Sequence, residues 1–181
     1  MSEPTHTPVL GFAAHSGTGK TTLLTRLIPL LRARGLRIGM IKHAHHDFDI
    51  DKPGKDSYEL RKAGAGQMLV ASSRRWALVH ENAEEHEPRL AELIEHLDRD
   101  ALDLILVEGF KHEPYPKIEL HRRSLHKPLL FLQDPNVIAV ACDEELPSAP
   151  SLPVLNINDP EEIAAFVEKD FLHRSRTNGP D

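Results

Sequence analysis

A lysine and two threonines follow a glycine-containing loop near the start of the chain. The segment reads Ala-His-Ser-Gly-Thr-Gly-Lys-Thr-Thr over residues 14–22. At a helix N-terminus, unpaired backbone N–H groups and the helix dipole favour negative charge, and glycines let the backbone approach an anion closely. We therefore predict that this loop binds the phosphates of a nucleoside triphosphate. The predicted contacts are Ser16, Gly17, Thr18, Gly19, Lys20, Thr21 and Thr22.

Three side chains of the loop have separate predicted roles. Lys20 supplies a mobile cation for the β- and γ-phosphates, the Thr21 hydroxyl binds Mg²⁺, and Thr22 donates to the α-phosphate. Ala14 stands where the phosphate-binding pattern usually begins with glycine. That position leaves the preceding strand and does not need to approach a phosphate closely, so we expect the loop to tolerate alanine there.

A glutamate closes the apolar run over residues 104–107. Phosphate-binding folds of this type place a second carboxylate near the metal at the end of such a strand. We predict that Glu108 holds a Mg²⁺-bound water or orients an attacking one, which makes Glu108 and Lys20 the predicted catalytic residues. The alternative is a strand-end carboxylate that faces solvent.

Residues 42–55 form a polar segment with three histidines and several aspartates. Imidazole and carboxylate ligands suit Zn²⁺ or Ni²⁺, but no cysteine joins them and no helical spacing fixes their geometry, so a solvated loop competes with a metal site. We favour a third interpretation, in which one aspartate, taken to be Asp51, approaches Mg²⁺, and Lys42 or His43 meets a phosphate or a partner's anionic ligand. The polar residues in question are His43, His45, His46, Asp47, Asp49 and Asp51.

Asp143 follows the apolar run at residues 137–141. Its carboxylate could accept hydrogen bonds from N1 and N2 of guanine, which adenine does not offer, and we predict it as a base contact. No Asn-Lys-x-Asp signature is present, and a turn carboxylate is the competing interpretation. Motifs alone therefore leave the base preference open.

Alternating strand and helix patterns position these residues and predict an α/β fold with a largely parallel sheet. The strands around Trp76 and Ile118 are predicted as antiparallel additions at one edge. We expect one domain over residues 8–172, with flexible ends at 1–7 and 173–181. Predicted strands are 9–14, 38–41, 67–71, 76–80, 104–107, 118–120 and 137–141, and predicted helices follow the loop at residue 22, Asp56, Pro88 and Asp159.

The composition narrows the class of protein. The chain has 181 residues, of which 40% are apolar and 28% charged, and this suits one globular domain. A formal charge of −6 argues against sequence-independent binding of nucleic acid. We find no apolar run long enough for a membrane span and no signal-peptide pattern, and Cys142 is the single cysteine. We expect a cytoplasmic protein that does not contact a membrane.

Four segments occur in the order SGTGKTTLLTRLIPLL, IKHAHHDFDIDKPGKDSYELRKAGA, VASSRRWALVHE and LDLILVEGFKHE. In them the sequence resembles the molybdopterin-guanine dinucleotide biosynthesis adaptor protein B (MobB) family, over roughly residues 8–172. The resemblance implies a three-layer P-loop NTPase fold of the branch that includes metallochaperone GTPases. It also implies GTP with Mg²⁺, weak intrinsic hydrolysis and a homodimer joined through sheet edges. Residues 17–22 match the nucleotide loop of the family, and Glu108 matches its second acidic motif.

The family's role is auxiliary. The resemblance implies assistance to the guanylyltransferase that joins GMP to molybdopterin, and contact with the molybdopterin cofactor or its intermediates. The chain offers no evident catalytic arginine or water-positioning glutamine, so we expect slow hydrolysis. One alternative is a small-molecule kinase that uses ATP, although an arginine-rich lid is not evident. Another is a GTPase that handles nickel or zinc.

Overall fold

The computed structural model describes residues 7–44, 48–146 and 151–177. The chain forms two compact units, of which the first comprises Met1–His43 with Leu90–Asp181 and the second comprises Ala44–Arg89. Across the described residues, no helix has the length and apolar character needed to cross a membrane.

The helices and strands follow the chain in this order: β1 (Val9–Ala14), α1 (Lys20–Ala33), β2 (Ile38–Lys42), α2 (Asp56–Lys62), β3 (Gln67–Ala71), β4 (Trp76–His80), α3 (Leu90–Ile94), β5 (Leu104–Glu108), β6 (Lys117–His121), β7 (Val137–Cys142), β8 (Val154–Asn156), α4 (Pro160–Phe166), a π-helical segment (Val167–Leu172) and α5 (His173–Thr177). The segment that the sequence predicts as a flexible tail thus begins as helix.

The first unit contains a six-stranded sheet in the order β2-β5-β1-β6-β7-β8. Each neighbouring pair of strands is parallel. Because the carboxyl ends of parallel strands lie at the same edge, the loops after β1, β5, β6 and β7 gather there. This edge positions the residues whose chemistry the sequence singles out.

The sheet is covered on both faces, as alternate residues of β5 show. Leu104 and Leu106 belong to a core cluster that includes the buried faces of α1 and α4. Ile105 and Val107 face the other way, into a second cluster that includes Leu90 of α3. Helices on both faces of a parallel sheet make a three-layer α/β fold, which confirms the predicted fold class.

The prediction of an antiparallel edge strand around Ile118 is wrong. The strand β6 pairs in parallel with both β1 and β7 and lies inside the sheet. The hairpin of β3 and β4 is antiparallel, as predicted, but it forms a separate two-stranded sheet. Lys117 and Glu119 caused the error, because alternation of charged and apolar residues usually marks a half-exposed strand.

Both charged residues of β6 are in fact buried, with exposures of 1% for Lys117 and 0% for Glu119. The Lys117 ammonium donates to Asp134 Oδ2 at 2.9 Å and to the Glu113 carbonyl at 2.6 Å. The Glu119 carboxylate accepts two backbone N–H groups from residues 130 and 131, each at 2.8 Å. A buried charge is tolerated when it is paired and hydrogen-bonded in this way.

The sequence predicts the first residue of one helix correctly and misplaces the first residues of two others. Asp159 caps α4 and accepts hydrogen bonds from two following amides, as the sequence predicts. Helix α2 begins at Asp56 itself rather than after it, and Glu59 accepts from the Gly54 amide. Helix α3 begins at Leu90 rather than directly after Pro88. The short strand β8 was not predicted.

The second unit consists of α2 and the hairpin. Arg61 is 8% exposed and donates to the carboxylates of Asp49 and Glu81. Within the hairpin, Leu69 pairs with Leu78, two residues along from Trp76, so these side chains lie on one face of the sheet. That face is apolar and exposed.

Candidate functional site

The loop between β1 and α1 has the backbone shape of an anion-binding loop. Gly17 and Gly19 adopt left-handed φ values of 84° and 91°, which disfavour any residue with a Cβ. Gly19 is the N-cap of α1 and has no side chain that could satisfy the first helical amides. Those N–H groups therefore need another acceptor, and a phosphate would supply it.

Thr18 fixes the middle of the loop. It is 2% exposed, and its hydroxyl donates to the His15 carbonyl at 2.7 Å. Thr21 and Thr22 lie in the first turn of α1, and both residues are exposed. The structure thus places the hydroxyls predicted for Mg²⁺ and the α-phosphate at the solvent side of the helix start.

Glu108 lies between two ammonium groups at the end of β5. Its Oε1 is 3.9 Å from Lys20 Nζ, and its Oε2 is 3.7 Å from Lys42 Nζ. The Glu108 side chain is 14% exposed, so it does not simply face solvent. The structure brings both predicted catalytic residues, Lys20 and Glu108, together beside the loop, and adds Lys42.

The described residues contain no cluster of three or more His, Cys, Asp or Glu side chains that could hold a metal ion. The oxygen donors predicted beside the loop are the Thr21 hydroxyl and the Glu108 carboxylate. Two such donors fit Mg²⁺, because that ion keeps several waters and binds through one or two protein oxygens together with substrate phosphates. Thr21 and Glu108 are the residues of this unit that would hold it.

A tight corner follows Glu108 and packs against His43. Gly109 and Phe110 both have positive φ, at 101° and 50°. The His43 amide donates to the Glu108 carbonyl at 2.8 Å, and its ring stacks on Phe110 with centroids 4.8 Å apart. A Cβ on Gly109 would lie 2.5 Å from the Cβ of His43. The corner therefore requires glycine for both its backbone angle and its close contact.

We expect Gly109→Ala to lower the free energy of unfolding by about 2–3 kcal/mol, since it combines an unfavourable φ with overpacking. Gly35→Ala is the matched control, because Gly35 has a φ of +86° but no atom within 4 Å of a new Cβ. It should cost only about 1 kcal/mol. Urea unfolding of both variants measures the difference, and equal losses would contradict the packing argument.

Asp143 is tied to the loop through Arg122, an arginine that the sequence analysis did not identify. Arg122 donates to Asp143 Oδ2 at 3.3 Å and to the Thr18 carbonyl at 2.9 Å, and the Arg123 amide donates to Asp143 Oδ1 at 3.2 Å. Burial raises the pKa of Asp143, but these hydrogen bonds and the guanidinium of Arg122 outweigh it and hold the pKa below its ordinary value. A contact between Asp143 and a base stays a prediction.

A cavity of about 260 Å³ lies beyond the ends of β6 and β7. Arg123, His126, Lys127 and Glu144 are among the side chains that line it. His15 of the phosphate loop donates from Nε2 to the carbonyl of Pro128, a further wall residue, at 3.1 Å. One wall residue of the cavity is therefore hydrogen-bonded to the phosphate loop.

The remaining predicted metal ligand, Asp51, lies on a different compact unit from the loop. Asp51 belongs to the second unit, where its Oδ1 accepts from the Lys52 amide. Asp49 in the same unit accepts from the Asp51 amide and pairs with Arg61. His45, His46 and Asp47 lie outside the described residues. Metal ligation by Asp51 and by the histidine segment stays a prediction.

The family model and the most similar relatives that we found all point to the same protein family. The chain matches the family described as MobB, Molybdopterin guanine dinucleotide synthesis protein B, over residues 9–143. It is 56% identical over 168 residues to the molybdopterin-guanine dinucleotide biosynthesis adapter protein of Escherichia coli (strain K12), across 92% of this chain and 95% of that protein. The adapter protein of Haemophilus influenzae is 46% identical over 166 residues, across 92% and 90%.

Solved structures of the same name share the fold. A crystal structure of molybdopterin-guanine biosynthesis protein B aligns with a TM-score of 0.68 and 28% identity, across 88% of this chain and 97% of that chain. A crystal structure of Bacillus subtilis MobB gives the same TM-score and identity, across 88% and 95%.

Proposed function

The chain belongs to the MobB family, and from that premise we propose that it is a GTP-binding adaptor in the biosynthesis of molybdopterin guanine dinucleotide. The adaptor role follows from the relatives, which carry it in their names. Nucleotide binding is supported by one observation above all, the left-handed glycine loop that caps α1 beside Lys20 and Glu108.

The phosphates would lie against the loop amides and the Lys20 ammonium. At 3.9 Å from Glu108, Lys20 makes only a loose ion pair and can turn toward an anion. Mg²⁺, when bound, neutralises charge on the phosphates. Thr21 would bind the ion directly, and Glu108 would hold one of its waters or orient the attacking one.

Weak hydrolysis is part of the proposal. Arg122 contacts the loop, but its guanidinium donates to Thr18, Asp143 and Asn158 rather than to the side of the loop that binds phosphate. An arginine that stabilises the transition state of phosphoryl transfer must reach the γ-phosphate. The chain should therefore turn over slowly when alone, as suits an adaptor.

We place the base in the cavity beyond β6 and β7. Pro128 in its wall accepts a hydrogen bond from His15 of the phosphate loop, and Glu144 also lines it. Carboxylates accept hydrogen bonds from N1 and N2 of guanine, whereas adenine offers neither donor in that arrangement. The position of Glu144 in the cavity wall supports GTP over ATP.

Titration calorimetry of the purified chain with GTP and with ATP, each with Mg²⁺ and with EDTA, tests the proposal. We expect GTP to bind at least about tenfold more tightly than ATP, a difference of about 1.4 kcal/mol, and only with Mg²⁺ present. Equal affinities would remove the guanine assignment. Binding of neither nucleotide would remove the triphosphate proposal altogether.

The adaptor's partners are the guanylyltransferase and a second copy of the chain. A homodimer is supported by the hairpin, whose apolar face leaves Leu69 and Trp76 exposed by 59% and 67%. A two-stranded sheet is marginal by itself, and both of its edges present unpaired backbone groups. Pairing with a second hairpin would satisfy the backbone groups of one edge, and packing of the apolar face in the same interface would bury Leu69 and Trp76.

We expect Leu78→Glu to weaken the dimer strongly, because a charge would enter the covered face. Leu78 is 46% exposed within that face. Leu132→Glu is the control, since Leu132 is 68% exposed but lies outside the hairpin. Sedimentation velocity at several concentrations should show more monomer for Leu78→Glu alone. A wild-type chain that is monomeric throughout would end the homodimer proposal.

A further inference from the structure

Arg122 connects three loops at the carboxyl edge of the sheet. It follows β6 directly, and its Nε donates to the Thr18 carbonyl at 2.9 Å. Its two terminal nitrogens donate to Asp143 Oδ2 at 3.3 Å, after β7, and to Asn158 Oδ1 at 3.0 Å, after β8. A planar guanidinium fixed at three points holds each acceptor in a defined direction.

The contact with Thr18 determines where the next amide points. The peptide between Thr18 and Gly19 is trans, as the described residues contain no cis bond. In a planar trans peptide the carbonyl and the following N–H point in opposite directions. Anchoring the Thr18 carbonyl to Arg122 therefore turns the Gly19 N–H to the opposite side, into the loop.

Packing secures the Thr18 side of this peptide, where Thr18 is 2% exposed, but not the Gly19 side. A Cβ built on Gly19 would meet no atom within 4 Å, so nothing presses on the residue from that direction. Glycine also populates both signs of φ with similar ease, so the peptide could rotate at little cost. The Thr18 side chain secures the residue at His15, and the Arg122 bond fixes the carbonyl.

The partners of Arg122 are themselves fixed. Asp143 accepts from the Arg123 amide at 3.2 Å, and the Asn158 amide donates to Asn156 Oδ1 at 2.9 Å. The guanidinium is thus held by the loops after β7 and β8, and through it those loops reach the phosphate loop.

We propose that Arg122 is a positioning residue for phosphate binding, which holds the peptide between Thr18 and Gly19 so that the Gly19 N–H faces the phosphate. The inference rests on the proposed binding of a triphosphate. On this account Asp143 serves as an anchor for Arg122, and its loss should weaken binding of any polyphosphate regardless of the base.

The test compares Arg122→Ala and Arg122→Lys with the wild-type chain. Arg34→Ala is the matched control, because the Arg34 guanidinium also bonds to side chains distant in sequence, Glu161 and Glu168, but lies beyond the far end of α1. Calorimetry with GTP and with pyrophosphate, each with Mg²⁺, gives the affinities. The ¹H–¹⁵N resonance of Gly19 reports the hydrogen bond of its amide directly.

We expect Arg122→Ala to weaken GTP and pyrophosphate alike by about tenfold, the usual effect of one lost hydrogen bond to a charged group. The shift of the Gly19 resonance on adding pyrophosphate should shrink in the same variant. Arg122→Lys should recover part of both effects, since an ammonium can still donate to the Thr18 carbonyl. Arg34→Ala should stay within about twofold of wild type.

Three results would overturn the inference. Arg122→Ala could bind pyrophosphate as well as the wild-type chain does. It could lose affinity for GTP but not for pyrophosphate, which would assign the arginine to the base. Or Arg122→Ala could have a lowered unfolding temperature that Arg34→Ala does not share, while Arg122→Lys recovers no affinity. The lost affinity would then reflect general destabilisation. If the wild-type chain binds neither GTP nor pyrophosphate, the proposed function itself fails. That result is visible in the wild-type measurement alone, before any variant is compared.

Discussion

Lys20→Ala should weaken GTP binding by about a hundredfold and leave the fold intact. The Lys20 ammonium would contact the β- and γ-phosphates, and a charged hydrogen bond that is lost costs about 1.5–3 kcal/mol, or roughly ten- to a hundredfold in affinity. We place the effect at the upper end because two phosphates share this cation. Its ion pair with Glu108 is loose, at 3.9 Å, so folding depends little on it.

Lys169→Ala is the control for this experiment. Lys169 is an exposed lysine of the π-helical segment, and its removal lowers the net charge by the same amount. Calorimetry with Mg²⁺ and GTP should show wild-type affinity for Lys169→Ala. If both variants lost affinity equally, the effect would be one of overall charge, and Lys20 would have no particular contact with phosphate.

Asp134→Asn should lower the free energy of unfolding by about 3 kcal/mol. The substitution leaves the Lys117 ammonium buried without its carboxylate, and breaking one side of a buried ion pair typically costs about 3–5 kcal/mol. Lys117 is 1% exposed, and its bond to Asp134 is 2.9 Å long. We take the lower end because Lys117 keeps the Glu113 carbonyl as a partner. Urea unfolding measures the change.

The double variant Lys117→Met with Asp134→Asn separates charge from packing. With no ammonium left in the core, it should regain at least half of the lost stability. A double variant as unstable as Asp134→Asn would show that the carboxylate acts through its contacts with Asn136 instead.

The same ion pair gives a pH dependence. Burial raises the pKa of Asp134, but hydrogen bonds from Lys117 and Asn136 outweigh it, so its pKa in the folded chain lies below the ordinary 3.8. A lowered pKa in the folded state adds stability above about pH 4, and this stability is lost as the pH falls toward the folded value. The gap in unfolding free energy between wild type and Asp134→Asn should therefore narrow below about pH 4.

Local patterns were enough to locate the phosphate loop and its supporting strand and helix. The apolar run of β1, the glycines and the leucine spacing of α1 all act over short stretches of chain, and the structure gives the predicted elements. The end of β5 was also readable, because a buried strand is a continuous apolar run. Glu108 could therefore be placed beside Lys20 from the sequence.

The long-range partners could not be read in this way. Lys117 and Glu119 look like solvent-facing residues until Asp134 and the turn at residues 130–131 are brought to them by folding. Arg122 likewise stands 104 residues from Thr18 in the sequence. Its only local signal is a pair of arginines directly after a strand. Tertiary hydrogen bonds of this kind leave no periodic trace.

The two lysines that flank Glu108 determine whether a metal ion can bind there before the nucleotide does. With Lys20 Nζ at 3.9 Å and Lys42 Nζ at 3.7 Å, the Glu108 carboxylate lies between two positive charges. This excess of positive charge repels a free divalent cation and attracts a polyanion. Magnesium would then enter only as the complex that the triphosphate already forms in solution, and the adaptor would respond to the supply of nucleotide rather than of metal.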